Sequence, residues 1–388
     1  MHANVLDLTL SSYVFQPGNV VLTRDRLGTW ESRSPGYDER FDYYTLIYDV
    51  FYDETAQKVI AICPALMNFE RLINEAEFAI DNDSVPVASI EKTSKGTARG
   101  SLIMFDWPQD KGIPQFLEIK HPLFSGVMAI NRTHRDHFKG CNALYAISKN
   151  NRLDWIADWL AYHVAEHGAN AVVIYDNNST DYTMDALADT IAGVDGIERA
   201  AIVRANFPFG PSGEQQTNYN SKFLHMTMVE YGRRTLLTEA RAVLNVDIDE
   251  LVYSKTGESI FDATVKSEKG YVRMKGQWVY TPRPEQGQGH AVRHADHCFI
   301  RTDLRRGVHR KYCVAPKGPL EGWPWLTHRI VSRKDVPNSD FGLWHFRGVS
   351  NSWDYDRADF DDAVLEKDDR LIKTMARNFG PGATATVA

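Results

Sequence analysis

Residues 236–255 read LLTEARAVLNVDIDELVYSK. An apolar run from Val243 to Val252 is interrupted by three acids, Asp247, Asp249 and Glu250. The apolar residues predict a buried strand, yet a buried strand does not tolerate unpaired carboxylates. Residues two apart in an extended segment point the same way, so Asp247 and Asp249 are expected to face one site. Two carboxylates that close repel unless a cation stands beside them. Hard ions such as Mg2+ and Mn2+ take carboxylates and keep positions for phosphate oxygens. A charged turn after a buried strand is the plainer reading of the same residues.

Working outward, residues from about 141 alternate between strand and helix patterns. CNALYAISK is a short apolar strand, followed by RLDWIADWLAYHVAEHG with Leu153, Ile156, Trp159, Leu160 and Val164 at helical spacing and Gly168 as the stop. NAVVIYDN is a second strand, ending at Asp176. STDYTMDALADTIAG reads as a helix capped by Ser179, Thr180 or Asp181 and ending at Gly193. ERAAIVRAN is a third strand, EQQTNYNSKFLHMTMVEYG a long helix ending at Gly232, and RAVLNVDID a fourth strand. Alternating units with apolar strands predict a mostly parallel sheet covered on both sides. Ligands of such sheets sit at the carboxyl ends of the strands, where Asp176, Asp247 and Asp249 fall.

Residues 1–140 differ. YYTLIYDVFYD and KVIAICPAL, separated by DETAQ, read as paired strands. The expected organisation is a mostly β N-terminal domain over 1–140, an α/β domain over 141–378 and a disordered tail over 379–388. His134 and His137 read as a surface pair.

The chain has 388 residues, 43% hydrophobic and 24% charged, and a formal charge of −7. It lacks the global basic field of a nucleic-acid binder. Its four cysteines, Cys63, Cys141, Cys298 and Cys313, form no C-x-x-C pair and read as reduced thiols. The N-terminus has no basic, long apolar leader, and no stretch approaches the roughly 18 apolar residues of a membrane span. The expected location is the cytoplasm, with peripheral contact at the inner face of the membrane left open.

These pieces, in this order, resemble nucleotide-sugar glycosyltransferases of the GT-A fold, most nearly the family 92 and family 2-like proteins. Lys149 and Asn150 match the family's K-N, and Asp158, Trp159 and His163 its E-W…H helix. Asp176, Asn177, Ser179 and Asp181 match its D-N-x-S-x-D turn, and Asp247, Asp249 and Glu250 its D-x-D-E. Where the family has Glu after K-N, this chain has Asn151. The resemblance covers about 141–255 and, more loosely, residues to about 353. It implies an α/β, Rossmann-like GT-A catalytic domain, preceded here by the mostly β region. It also implies a UDP-sugar donor, Mn2+ or Mg2+, transfer to a hydroxyl of a glycan or lipid-linked acceptor, and inversion. Asp176 would meet the uracil or ribose, with Ser148, Lys149, Asn150, Asn178 and Lys311 also against the nucleotide sugar. Asp247 and Asp249 would carry catalysis, Asp247 lying near the ribose or sugar and Asp249 binding the metal that bridges the pyrophosphate, with Asp249, Asp247 and His345 the candidate metal ligands. Lys311 matches the family's K-x-i-x-P segment and His345 its H-y-R segment, while His328 competes with His345 for the same role.

Several features stay open. Arg301, Arg305, Arg306, His309, Arg310 and Lys311 form a basic cluster suited to an anion. His290, His294, His297 and Cys298 suggest zinc as an alternative. Trp278 and Tyr280 are placed to stack on a sugar, and Asp296, Asp303 or Glu321 to act as general base. A nucleotidyltransferase would share the sheet and acids but usually carries a Gly-rich loop where this chain has SKNNRL. A non-catalytic carbohydrate-binding protein would lack the metal acids.

Overall fold

The computed structural model describes residues 3–16, 22–26, 33, 36–93, 100–211, 222–282, 292–303, 308–330, 336–349 and 364–380. Among these described residues the main sheet has eleven strands. In chain order they are β1 (Asn4–Thr9), β2 (Asn142–Ser148), β3 (Ala171–Asp176), β4 (Arg199–Arg204), β5 (Ala242–Asn245), β6 (Glu250–Ser254), β7 (Tyr271–Tyr280), β8 (Phe299–Arg301), β9 (Val308–Val314), β10 (Phe341–Phe346) and β11 (Leu365–Lys367). The lateral order is β1-β4-β3-β2-β5-β9-β7-β8-β11, with β10 bridging β7 and β6. From β1 to β5 every pairing is parallel. Beyond β5 the pairings are antiparallel, except that β7 and β10 run parallel. The sheet is therefore mixed rather than mostly parallel.

Helices α1 (Leu153–His167), α2 (Met184–Ala192), α3 (Phe223–Thr235), α4 (Ile260–Lys266) and α5 (Asp369–Phe379) pack on this sheet. Strand alternation divides its two faces. Leu144, Ala146, Val172, Ile174 and Ile202 share a core with α1, α2, α4 and α5, while Tyr145, Val173, Tyr175 and Val203 share another with α3. Gly168 ends α1 at φ +69, its amide returning to Val164 O, as a left-handed C-terminal glycine does.

Two helix boundaries differ from the sequence expectation. The cap of α2 is Thr183, whose Oγ1 accepts the Ala186 amide at 3.1 Å, because Ser179 to Asp181 are held in the loop around Asp176. Helix α3 runs past Gly232 to Thr235. Gly232 is there for clearance: a Cβ would lie 2.0 Å from the Tyr175 hydroxyl.

β1 leaves the N-terminal region and pairs along β4 from Asn4–Arg199 to Thr9–Arg204. The other strands before residue 140 form mainly a five-stranded and a four-stranded sheet. In the five-stranded sheet, alternate residues serve two cores. Phe51, Ile60, Ile62, Leu102 and Met104 join the core around α3. Val50, Tyr52, Val59, Ile103 and Phe105 pack with Leu117 and Ile119 of the four-stranded sheet. Arg135 ties this region to α3, pairing with Asp53 and donating from Nε to Arg234 O at 2.8 Å. His134 and His137 are half-buried rather than a surface pair, and burial lowers both pKa values. At the other terminus Phe379 is still helical and stacks on Tyr162; residues 381–388 of the expected tail lie outside the described residues. All four cysteines are buried free thiols.

Tyr175 Oη is buried with no hydrogen-bond partner among the described residues, so removing it sacrifices no bond. Gly232→Ala is expected to lower stability by about 1–3 kcal/mol, and Tyr175→Phe in the same chain to restore most of it, read by denaturant unfolding. Asp49 is fully buried, accepting Ser11 N at 2.6 Å and Asn131 Nδ2 at 2.7 Å. Burial outweighs these bonds and pushes its pKa up to about 7. The folded state then binds more protons than the unfolded chain between the ordinary carboxylate value and about 7, so stability falls as pH rises through that window. Asp49→Asn should flatten this component, by up to about 1.4 kcal/mol per pH unit. Unfolding midpoints at pH 4.5 and 7.5 that move identically in both chains would refute it.

Candidate functional site

Parallel strands β4-β3-β2-β5 are joined in sequence by α1, α2 and α3, so chain order reverses between β2 and β5. The carboxyl ends flanking that reversal are where α/β sheets open a ligand crevice. Two clusters of polar side chains end the strands there.

The first cluster caps β2 and β3, whose last residues Ser148 and Asp176 are register partners. Asp176 is buried, and its Oδ2 accepts the Ser179 amide at 3.0 Å. Its Oδ1 is buried without a hydrogen-bond partner among the described residues. Asn150, at φ +53, clamps the facing loops: Oδ1 accepts Thr180 N at 2.6 Å and Asp181 N at 3.2 Å, while Asn150 N donates to Ser179 Oγ at 2.8 Å. Its side chain is thus committed to loop structure. Asn151, in place of the family's Glu, donates to Ser148 Oγ at 3.0 Å. Asn177 is likewise structural, its amide bonding Ala205 O and Phe207 O. Lys149 is half-buried at the same turn, and Asn178 is exposed with φ +58. Tyr182, which carried no sequence signal, joins through Ser179 Oγ at 3.1 Å.

The second cluster is the acidic turn. β5 stops at Asn245 and β6 begins at Glu250, so residues 247–249 are a turn rather than the extended segment expected. The shared direction argued for Asp247 and Asp249 therefore does not hold. Three bonds to its backbone carbonyls pin the turn. Glu250 N donates to Asp247 O at 3.0 Å, His294 Nε2 meets Ile248 O at 3.0 Å, and Phe346 N donates to Asp249 O at 2.8 Å. Asp247 N in turn donates to Glu250 Oε2 at 2.9 Å.

The acids then part company. Asp247 Oδ2 lies 2.8 Å from Lys311 Nζ, which is also 3.3 Å from Glu250 Oε2. Asp249 Oδ2 lies 2.9 Å from His345 Nε2, and Glu250 Oε1 is 3.7 Å from His345 Nδ1. Lys311 is wholly buried and His345 nearly so. Burial opposes the charge on Asp247, but Lys311, with His225 and His328, outweighs it and holds the carboxyl well below its usual range. Glu250 is pushed up to about 7 by burial and by Asp247, against the pull of Lys311. Lys311 is raised because its acidic partners overcome its desolvation. Of the two competing histidines, His345 adjoins Asp249, whereas His328 acts on Asp247; His225 of α3 had no sequence signal.

The remaining motif residues have other work. Trp278 stacks on His345 at 4.0 Å, but Tyr280 is 1% exposed and out of reach of a sugar. In the basic cluster Arg301 pairs with Asp303, Arg310 is exposed and Lys311 points inward; Arg305, Arg306 and the His309 side chain lie outside the described residues. His297 bonds the Arg293 and Arg347 carbonyls, and His294 the turn. His290 lies outside the described residues, among which no group of three His, Cys, Asp or Glu is arranged for a metal ion. Asp296 accepts Arg293 N and Glu321 pairs with Lys317, so each proposed base is engaged locally.

The E-W…H match also proves structural. Asp158 binds Arg293, with Arg293 Nε donating at 2.9 Å. His163 Nδ1 donates to Trp159 O and its Nε2 accepts Val252 N at 3.4 Å, while His167 Nε2 donates to Val252 O at 2.9 Å. β6 pairs only with β10 among the described strands, so these imidazoles satisfy the open edge of the strand that follows the acidic turn. His163 is neutral, its pKa lowered to about 3 by burial. His163→Ala is expected to cost about 2–4 kcal/mol through the lost ring and the unpaired amide, measured as a shift in unfolding midpoint; a shift under 0.5 kcal/mol, taken as about the surface-substitution range, would refute this role.

No protein-family model and no curated protein matches the chain. Among solved structures it is similar to S. aureus TarS 1-349 in complex with UDP, at 14% identity and a TM-score of 0.24. The match covers 45% of this chain and 46% of that one. A likeness of that extent carries no argument about site or activity.

Proposed function

We propose that this chain is a metal-dependent glycosyltransferase that moves a sugar from a nucleotide-diphosphate donor, a UDP-sugar, to a hydroxyl of a glycan or lipid-linked acceptor, with inversion. The observation that carries the reading is the pinned acidic turn at the β2/β5 reversal, where Asp249 and His345 converge. Their 2.9 Å separation suits two adjacent ligands of an octahedral ion, which stand about 3 Å apart when each bond is about 2.1 Å. Asp249 and His345 would hold Mn2+ or Mg2+, and such an ion would neutralise charge developing on the departing diphosphate.

The other residues bind and orient. Asp176 offers the buried Oδ1, which has no partner among the described residues, as an acceptor for an N–H or O–H of the uridine. Asn150 keeps that carboxylate's loop in place through Thr180 and Asp181. Trp278, half-buried and stacked on His345, limits the ring's motion. Among the described residues no helix is long and apolar enough to cross a membrane.

Calorimetry with UDP, with and without Mn2+, tests this. Binding should require Mn2+ and weaken at least tenfold in Asp249→Asn. If wild type binds no UDP under either condition, the uridine-donor reading is wrong.

A further inference from the structure

A wholly buried ammonium is rare unless paired, and Lys311 is wholly buried. Strand geometry puts it there. On β9, Tyr312 is the register partner of Asn245 at the end of β5, so Lys311 lies level with the start of the acidic turn. Arg310 beside it is exposed, and alternation turns Lys311 inward. Its Nζ meets Asp247 at 2.8 Å and Glu250 at 3.3 Å. Asp249, two residues on, turns instead to His345.

Resting on the metal-dependent reading above, we propose that Lys311 is a positioning residue: a built-in counter-ion that keeps Asp247 out of the metal set, leaving Asp249 and His345 as the ligating side chains among the described residues. A divalent ion bonded to Asp247 Oδ2 at about 2.1 Å would meet the Lys311 charge on the same oxygen. The Asp247 backbone is held beside Lys311, because the Asp247 amide donates to Glu250 Oε2 and the Asp247 carbonyl accepts the Glu250 amide. Lys311 thereby serves one acid of the turn while the other keeps its affinity for an ion. The two acids of the D-x-D have different cations, one covalently part of the chain and one exchangeable.

The test titrates Mn2+ alone into the full chain, reading free Mn2+ by electron paramagnetic resonance. Asp247→Asn with Lys311→Met removes both charges of the pair and keeps the local balance. Its Mn2+ affinity should stay within threefold of wild type, while Asp249→Asn and His345→Ala lose at least tenfold. Lys311→Met alone should bind Mn2+ at least threefold more tightly, because Asp247 is released to the ion, and adding Asp247→Asn should remove that gain. If that single variant does not fold, the double variant decides. Wild type that binds Mn2+ beside a double variant that loses it tenfold would overturn the Lys311 proposal alone. No Mn2+ binding by wild type would overturn the metal reading and this proposal together.

Discussion

The constraint on which the rest depends is charge balance at residues 247–250. Of three carboxylates within four residues, two are drawn into the protein, Asp249 at 7% and Glu250 at 1% exposure, while Asp247 is half-buried. A buried carboxylate without a partner costs several kcal/mol. The fold answers with two side chains from distant strands, Lys311 on β9 and His345 on β10. Neither can arrive unless β9 pairs antiparallel to β5 and β10 pairs antiparallel to β6. The antiparallel extension of the sheet is thus what makes the acidic turn tolerable.

The parallel half has a different task. Its order reverses between β2 and β5, so Ser148 and Asp176 end their strands on the same rim as the acidic turn. Rigidity at that rim comes from imidazoles that hold backbone groups. His294 holds the Ile248 carbonyl, and His163 and His167 cover the open edge of β6 at Val252. The N-terminal five-stranded sheet adds support from behind α3, sharing the core that contains Tyr175 and Met228.

Much of the α/β half was legible because its signals are local. The period of Leu153, Ile156, Leu160 and Val164 marks α1, and Gly168 stops it. Apolar runs mark β2, β3 and β4. Asp176 at a strand end was equally readable. Gly232 was misread as a stop because its reason, the Tyr175 hydroxyl, lies on another element. Asn150 looked like a ligand contact because the amides it caps, at Thr180 and Asp181, are 30 and 31 residues away. Tyr280 looked accessible because a strand pattern does not reveal that both faces are covered.

The sequence by itself determined the alternation of strands and helices, the carboxylates at two strand ends and the low basicity that argues against nucleic acid. These follow from side-chain periodicity and composition, which are properties of neighbours along the chain. Only the tertiary structure decided that Asp247 faces Lys311 while Asp249 faces His345, that the sheet is mixed, and that the histidines of α1 seal an edge strand. Each depends on contacts between elements far apart in sequence, and strand register sets such contacts without leaving a local periodic trace.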